Sequence, residues 1–245
     1  MTASSGRVAI VVPCYNEAHR LKPDGFLPLL EDASWTLLFV DDGSKDDTAR
    51  VLSEMQAQNP KRIRVLSLER NSGKSEAVRR GLVAAIEGGA EIVGYYDADL
   101  ATPTADLKRI VAATADPVVH MVLGARVALL GRDVQRSMRR HLLGRAFATM
   151  ASLSLEMPVY DTQCGAKALR VTDTLRAALA EPFHSRWIFD VELMSRLRAR
   201  GLGIDAFVEV PLESWQDVGG SKLTSRAMLK SAGDLARITW DFRRR

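Results

Sequence analysis

The sequence predicts an α/β fold with a mostly parallel central sheet flanked by helices. Short apolar runs rich in β-branched residues alternate with helical patterns through the first hundred residues, which is the pattern of successive β-α-β units. A polar cluster follows each of these runs, and parallel sheets bind ligands at that end of their strands. The 245 residues contain no internal repeat, low-complexity tract or linker, so we predict one domain over 1–245.

Four buried strands are predicted in the first half of the chain. Each candidate is a short apolar run followed closely by Pro, Gly or Asp residues, which favours a strand over a helix. The four runs are Val8–Val12, Thr36–Val40, Ile63–Leu68 and Glu91–Tyr96.

Two helices are predicted between these strands. The polar residues Asp46–Thr48 can cap the first helix, which runs through Ala57. Ser75 can cap the second helix, Glu76–Glu87, and a pair of glycines then ends it.

The second half of the chain is predicted to complete the sheet. A fifth strand is expected at 118–125, and the chain returns to the sheet within 161–170 after a turn. The segment 133–155 is expected to be a basic helix, and a helix at 188–199 is expected before a strand at 206–210.

Basic residues are concentrated in two segments. The net charge is only +4, but 132–145 holds five Arg against one acid, and 226–245 holds six Lys or Arg against two acids. A nucleic-acid-binding protein would be more uniformly basic and would interleave aromatic residues, so we predict no nucleic-acid partner. Either segment can form a helix that lies on an anionic lipid surface, or one that packs on the protein with a solvated Arg face.

The cysteines and the apolar runs bear on the cellular location. Cys14 and Cys164 lie in unrelated segments and give neither a zinc pattern nor a disulfide framework, which favours a reducing compartment. No apolar run reaches the roughly 18–20 residues that span a bilayer, and the first residues lack a signal-peptide pattern. We therefore expect a cytoplasmic protein that can touch the cytoplasmic membrane face.

Asp97 and Asp99 form a D-A-D motif directly after an apolar strand. Carboxylates two residues apart can share one Mg²⁺ or Mn²⁺ ion, which also binds phosphate oxygens and stabilises a leaving diphosphate. The alternative is a solvated turn in which one of the two carboxylates caps the next helix.

Two further strand ends carry residues suited to a nucleotide. Asp41 and Asp42 can accept the ring N–H of a base, and helix capping does not account for them, because Asp46 and Thr48 are better placed for that role. Lys74 follows a glycine at a predicted helix start, where a phosphate or ribose can bind, but the segment lacks the G-x-x-x-x-G-K spacing of an ATPase phosphate loop. The alternative for Lys74 is a solvated surface lysine.

Together these motifs resemble the family 2 glycosyltransferases. The matching segments of the first half are VVPCYNE (11–17), VDDGSKDDT (40–48), RNSGKSEAVRRGL (70–82) and YDADLATP (96–103). The second half is similar to the dolichyl-phosphate β-glucosyltransferases and the wider polyprenyl-phosphate glycosyltransferases in DTQCGAKALR (161–170), RWIFDVEL (186–193) and ESWQDVGGSKL (213–223).

The resemblance implies a GT-A fold, with a Rossmann-like sheet and a basic helical segment on the acceptor side. It implies a nucleotide-sugar-binding half at 1–100, an acceptor half at 101–225 and a basic C-terminal helix at 226–245. The implied enzyme uses Mg²⁺ or Mn²⁺ to transfer a hexose, with inversion, from a nucleotide diphosphate sugar to a polyprenyl or dolichyl phosphate. UDP-glucose is the donor that the resemblance favours. Ala101 weakens the alternative of a mannosyl donor, because it stands where mannosyl-phosphate synthases of this group often carry a metal-contacting Gln.

The resemblance also implies roles for residues on the donor side. Asp42 is expected to read the base, and Asp99, with Asp97, to hold the metal ion on the diphosphate. Lys222 is expected to stabilise the leaving diphosphate from a loop that closes over it. The donor-binding set is Pro13, Tyr15, Glu17, Asp42, Lys74, Asp97 and Ser221.

On the acceptor side, the resemblance implies that Arg126, Arg139 and Arg140 bind the acceptor phosphate. A phosphate monoester is already largely ionised near neutral pH, so as a nucleophile it needs cations and hardly needs a base. Asp190 and Glu192 occupy the place of an acidic acceptor-side motif. If the acceptor is the hydroxyl of a soluble sugar or metabolite, Asp190 is the candidate general base; its structural alternative is a helix N-cap.

Two other functional classes remain as alternatives. A nucleotidyltransferase that makes a nucleotide sugar usually has a Gly-rich signature near its N-terminus, and VVPCYNE is not such a signature. A non-catalytic binding module would have no need of Asp97, Asp99 and Lys222 together.

Overall fold

The computed structural model describes residues 6–135, 138–216 and 233–240. The strands in this part of the chain are β1 (Val8–Cys14), β2 (Trp35–Asp41), β3 (Ile63–Ser67), β4 (Ile92–Tyr96), β5 (Met121–Ala125), β6 (Asp133–Gln135), β7 (Ala166–Arg170), β8 (Phe207–Pro211) and β9 (Ser214–Gln216). The α-helices are α1 (Thr48–Gln58), α2 (Lys74–Glu87), α3 (Thr104–Ala112), α4 (Met138–Leu155), α5 (Asp173–Leu179) and α6 (Phe189–Arg198), and residues 233–240 are also helical.

The central sheet has seven strands in the order β3-β2-β1-β4-β7-β5-β8. β1 to β4 pair in parallel, as do β5 and β8, and the predicted mostly parallel sheet is confirmed. β7 runs antiparallel to both β4 and β5. Because β7 enters the sheet where β4 leaves it, the segment before β7 lies at the carboxyl end of β4.

Two apolar layers cover the two faces of the sheet. One layer joins the sheet to α2, α4, α5 and α6, and it includes Tyr95 and Phe189. The other joins the sheet to α1, α3 and a 3₁₀ helix at Pro23–Leu30, and it includes Phe26 and Tyr96. Successive residues of β4 thus face opposite layers, as the pleat of a buried strand requires.

The segment predicted as a helix over 133–155 contains both a strand and a helix. Asp133–Gln135 forms β6, which pairs in parallel with β9 as a separate two-stranded sheet. The Asp133 N–H donates to the Glu213 carbonyl at 2.9 Å, and Arg132 forms an ion pair with the Glu213 side chain. The prediction was wrong at the start of this segment because β9, the partner strand, had not been recognised.

Ser75 does not cap α2, contrary to the prediction. The N-cap is Gly73, whose φ of +94° suits glycine. The helix therefore begins at Lys74, and Ser75 is buried within its first turn. The predicted end of α2 is confirmed, since Gly88 is the C-cap.

The helix α4 packs on the sheet and also presents an apolar outer face. Ala151 and Leu155 are buried, whereas Leu142, Met150 and Leu153 are exposed. The C-terminal helix predicted over 226–245 is seen at 233–240, and the rest of it lies outside the described residues. None of the helices in the described segments is both long and apolar enough to cross a membrane.

Candidate active site

The polar clusters at the strand ends come together at one edge of the sheet, as expected. Cys14 at the end of β1 is in register with Asp41 at the end of β2. β4 is parallel to β1 on its other side and ends at Tyr96, immediately before Asp97. The amino end of α2 lies at the same edge, because Lys74 contacts Asp97.

Asp97 is held between a lysine and a glycine. Its Oδ1 forms an ion pair with Lys74 Nζ at 2.5 Å, and its backbone N–H donates to the Gly165 carbonyl at 2.9 Å. A Cβ atom on Gly165 would lie 2.0 Å from Asp97 Oδ2, so any larger residue there would displace the carboxylate. Gly165 thus permits the Asp97 position, and its role was not foreseen from the sequence.

Asp99 belongs to a second charged group at the same edge. Arg20 lies 3.5 Å from Asp99 Oδ2 and 2.8 Å from Glu17 Oε2, so the arginine connects the first and fourth strand ends. The Ala101 N–H donates to Asp99 Oδ1 at 3.1 Å. Burial and the charge of Asp97 raise the pKa of Asp99, against the opposing effect of Arg20. Arg20 was not predicted as a site residue.

The Asp97 and Asp99 carboxylates fit part of a divalent-cation site. They are partly exposed at one strand end, and the repulsion that raises the pKa of Asp99 is one that a hard cation would relieve. In residues 6–135, 138–216 and 233–240, no group of three or more His, Cys, Asp or Glu side chains could hold a metal ion. A cation bound here would therefore need additional oxygen ligands, such as those of a phosphate group.

Asp42 is buried and shapes the loop before α2. Its two oxygens accept hydrogen bonds from the backbone N–H groups of Ser72 and Gly73 at 2.7 and 2.8 Å. Asp41 Oδ1 accepts from the Ser44 N–H at 3.0 Å. Both acids thus have structural partners, and the argument that structure did not account for them was wrong. Burial raises the pKa of Asp42 although these hydrogen bonds favour its ionised form.

Side chains that follow β2 hold the segment that follows β1. The Asn16 N–H donates to Ser44 Oγ at 3.0 Å, and the Glu17 N–H donates to Thr48 Oγ1 at 2.8 Å. Pro13 belongs to β1 itself, and Tyr15 is half-buried next to it. The structure therefore brings the predicted donor residues of the first hundred positions to a single edge.

Asp190 lies behind this edge, at the start of α6. It is 5% exposed, and its Oδ1 lies 2.9 Å from Nζ of Lys167, a fully buried residue of β7. Lys74 also acts on Asp190, since its positive charge favours the ionised carboxylate. The sequence prediction included Asp190 but missed Lys167, whose only signal was its place in the DTQCGAK segment.

Glu192 has a structural role. It accepts hydrogen bonds from the backbone N–H groups of His184 and Ser185 at 2.9 and 3.1 Å, and from Arg196 at 2.8 Å. Burial opposes its ionisation, but these hydrogen bonds outweigh burial and lower the pKa of Glu192. Glu192 therefore anchors the loop that leads into α6.

Arg126 is paired with an acid within the protein. Its Nε and Nη2 donate to the two oxygens of Asp161 at 2.7 and 2.9 Å, and its guanidinium lies over the Trp215 ring at 5.3 Å. Although burial opposes the ionisation of both partners, their attraction raises the pKa of Arg126 and lowers that of Asp161 to about 2. Phosphate binding by Arg126 would have to use the donors that Asp161 leaves available.

Four predicted site residues lie partly or wholly outside the described part of the structure. Arg139 and Arg140 lie on α4, which places them in the first turn of that helix. Ser221 and Lys222 lie outside the described residues, and their roles stay predictions.

Residues 9–173 match the glycosyl transferase family 2. The chain is 32% identical to a dolichyl-phosphate beta-glucosyltransferase of Trichomonas vaginalis, over 95% of this chain and 71% of that protein. It is 33% identical to the dolichyl-phosphate beta-glucosyltransferase of Mus musculus, over 89% of this chain and 69% of that protein.

A solved structure with a similar fold is glucosyl-3-phosphoglycerate synthase of Mycobacterium tuberculosis. The TM-score is 0.72 at 21% identity, over 96% of this chain and 81% of that one. The same enzyme in complex with Mn²⁺, UDP-glucose and phosphoglyceric acid gives a TM-score of 0.71 at 19% identity, over 96% and 80% of the two chains.

Proposed function

The chain belongs to glycosyl transferase family 2, and we propose that it transfers glucose from UDP-glucose to a dolichyl or related polyprenyl phosphate. The observation that carries the proposal is the similarity to dolichyl-phosphate beta-glucosyltransferases along nearly the whole chain. This similarity extends beyond the family match, which ends at residue 173, and includes the segment that contains Asp190.

The donor is proposed to bind at the edge formed by the ends of β1, β2 and β4. Asp97 and Asp99 would hold Mg²⁺ or Mn²⁺, and this ion would neutralise charge on the leaving diphosphate. Lys74, 2.5 Å from Asp97, adds a positive charge next to that position. The loop that Asp42 fixes would form the wall beside the base, and each Asp42 oxygen keeps a second lone pair with which to accept a base N–H.

The transfer is proposed to be a direct displacement at the anomeric carbon, which inverts its configuration. One oxygen of the acceptor phosphate attacks while the nucleoside diphosphate leaves. Such an oxygen is ionised near neutral pH and needs no proton removed, so orientation by cations is the main requirement. Arg139 and Arg140 remain the proposed cations for it, and Arg126 contributes any donor not used by Asp161.

The acceptor side is proposed to meet a membrane surface. Exposed apolar side chains occur on the loop after β5 and on α4, close in sequence to the basic segment 132–145. A mixture of exposed apolar and basic side chains is what binding to an anionic lipid surface requires. These side chains are Leu129, Leu130, Leu142, Met150 and Leu153.

The proposal can be tested by a transfer assay with paired donors and acceptors. Purified protein with Mg²⁺ or Mn²⁺ is given labelled UDP-glucose or GDP-mannose, together with a polyprenyl phosphate, and the label is counted in the organic phase. We expect label from UDP-glucose, and the Asp99→Asn variant serves as the negative control. Label that stays in a new water-soluble product would instead support the soluble-acceptor alternative, and release of inorganic diphosphate would support a nucleotidyltransferase.

A further inference from the structure

Lys167 is a lysine with no exposed surface beneath the candidate site. Its Nζ donates to the Cys164 carbonyl at 2.6 Å, lies 2.9 Å from Asp190 Oδ1, and lies 5.0 Å from the centre of the Tyr95 ring. β7 places it there, because Lys167 is the register partner of Tyr95 on β4. A buried ammonium group is costly unless its charge is matched, and within the described residues Asp190 is the carboxylate in contact with it.

Asp190 in turn depends on positive charge around it. The charged groups that face it are Lys167 from β7 and Lys74 from α2. Its Oδ1 is buried and has no hydrogen-bond partner among the described residues, so the 2.9 Å contact with Lys167 is an ion pair outside hydrogen-bond geometry. Burial raises the pKa of Asp190 to about 8, and Lys74 opposes that shift.

These residues form a line of alternating charge from the core to the exposed edge. Lys167 is followed by Asp190, then by Lys74, then by Asp97. Although burial opposes its charged form, the carboxylates of Asp97, Asp190 and Asp99 raise the pKa of Lys74. Lys74 and Asp190 thus favour each other's charged forms, and Lys167 lies in contact with Asp190 on the side of the core.

We infer that Lys167 is a positioning residue, which holds Asp190 in place behind Lys74 and Asp97 and favours its ionised form. The inference rests on the proposed function for its kinetic consequences, but the ion pair itself can be tested without an acceptor. The other groups that act on Lys167 are Cys164, Asp161, Lys74 and Asp97. Burial and the positive charge of Lys74 lower the pKa of Lys167 to about 8, against the attraction of the other three groups. Loss of the lysine charge would leave Asp190 buried beside Lys74 alone, so protonation of Asp190 would become easier.

The test compares Lys167→Met, Lys167→Arg, Asp190→Asn and the double variant Lys167→Met/Asp190→Asn with the wild-type chain. Two readouts are taken: the pH profile of glucose transfer, and the carboxyl ¹³C titration of Asp190 in aspartate-labelled protein. Lys108→Met is the matched control, because Lys108 also forms an ion pair at 2.8 Å, but with the exposed Glu31.

We expect Lys167→Met to lower kcat by about tenfold or more, to move the acidic limb of the profile to higher pH, and to raise the titration midpoint of Asp190. Lys167→Arg should recover part of the rate, and Lys108→Met should match the wild type. The double variant should be no slower than Asp190→Asn, since Lys167 acts through that carboxylate.

A double variant more than about threefold slower than Asp190→Asn would overturn the inference, because such a loss means that Lys167 acts by another route. If Lys167→Met does not fold, the comparison of the double variant with Asp190→Asn still tests the inference, because the double variant leaves no unpaired buried charge. If the wild-type chain transfers no sugar, the proposed function fails, and the ¹³C titration of Lys167→Met and the double variant's Tm then test the ion pair. An unchanged Asp190 midpoint in Lys167→Met would reject the ion pair. If Lys167→Met does not fold, a double variant less stable than Asp190→Asn would reject it, because Asp190→Asn leaves the Lys167 charge buried and unpaired.

Discussion

The proposed donor site depends on a few residues that position and balance its carboxylates. Gly165 makes room for Asp97, Arg20 joins Glu17 to Asp99, and Lys74 balances the charge of Asp97. The acids could be predicted from the sequence because they follow apolar runs at strand ends. Gly165 and Arg20 could not, since Gly165 lies far from Asp97 along the chain, Arg20 lies far from Asp99, and neither has a distinctive spacing.

Replacement of Gly165 by alanine should lower glucose transfer by about 10²-fold, because the new methyl group would displace the Asp97 carboxylate from its place beside Lys74. The steady-state rate with UDP-glucose measures this effect. Gly233→Ala is the matched control, because no described atom lies within 4 Å of a Cβ built there. A Gly165→Ala variant as active as the control would contradict the importance of this contact.

Replacement of Asp99 by asparagine should lower turnover by about 10²–10³-fold, the size found when one group that stabilises developing charge is lost. Burial and Asp97 raise the pKa of Asp99. Because a metal ion binds the ionised carboxylate, activity at limiting Mn²⁺ should fall with decreasing pH at a higher pH than for an ordinary carboxyl group. A pH–rate profile at limiting Mn²⁺ measures this limb, and an unchanged rate in Asp99→Asn would remove Asp99 from the site.

At the scale of elements, β7 and the segment before it organise the site. The segment DTQCGAK supplies Asp161 to Arg126, Gly165 to Asp97 and Lys167 to Asp190. The sequence predicted that this segment returns to the sheet, but not that its strand enters between β4 and β5. Pairing of strands so far apart in the chain is set by tertiary packing, and local patterns do not encode it.

The Arg126–Asp161 pair should be important for stability. Arg126→Ala leaves Asp161 buried without its partner, and the expected loss in free energy of unfolding is about 3–5 kcal/mol. The double variant Arg126→Ala/Asp161→Asn should be more stable than the single one. Because the pKa of Asp161 is lowered from 3.8 to about 2, the wild-type pair stabilises the fold above pH 3.8 and loses that contribution as the pH falls towards 2.

Urea unfolding at several pH values measures this effect. Equal stability of Arg126→Ala and the wild type near neutral pH would show that the ion pair contributes little.

The outer face of α4 should contribute to lipid binding. Leu153→Gln and Leu142→Gln remove exposed apolar side chains, so they should weaken sedimentation with anionic phospholipid vesicles while leaving Tm nearly unchanged. Leu27→Gln is the control, because Leu27 is similarly exposed but lies on the 3₁₀ helix at Pro23–Leu30. Equal vesicle binding by all three variants and the wild type would exclude this face as the lipid contact.

At the scale of the whole molecule, the predicted architecture is confirmed where it depends on local patterns. The alternating strands and helices of the first hundred residues were recognised because each strand is a short apolar run with a clear end. The small β6–β9 sheet was missed because its strands are three residues long and largely polar. Which charged side chains meet at the sheet edge depends on the sheet order, so only the fold could establish it.

We propose that the donor binds at this edge of the sheet, with its diphosphate next to Asp97, Asp99 and Lys74. The most direct test is a crystal structure of the protein soaked with UDP-glucose and Mn²⁺, with anomalous diffraction data collected to locate the manganese. We predict a manganese peak coordinated by Asp99 and the donor diphosphate. A donor bound elsewhere, or a manganese ion held away from Asp97 and Asp99, would contradict it.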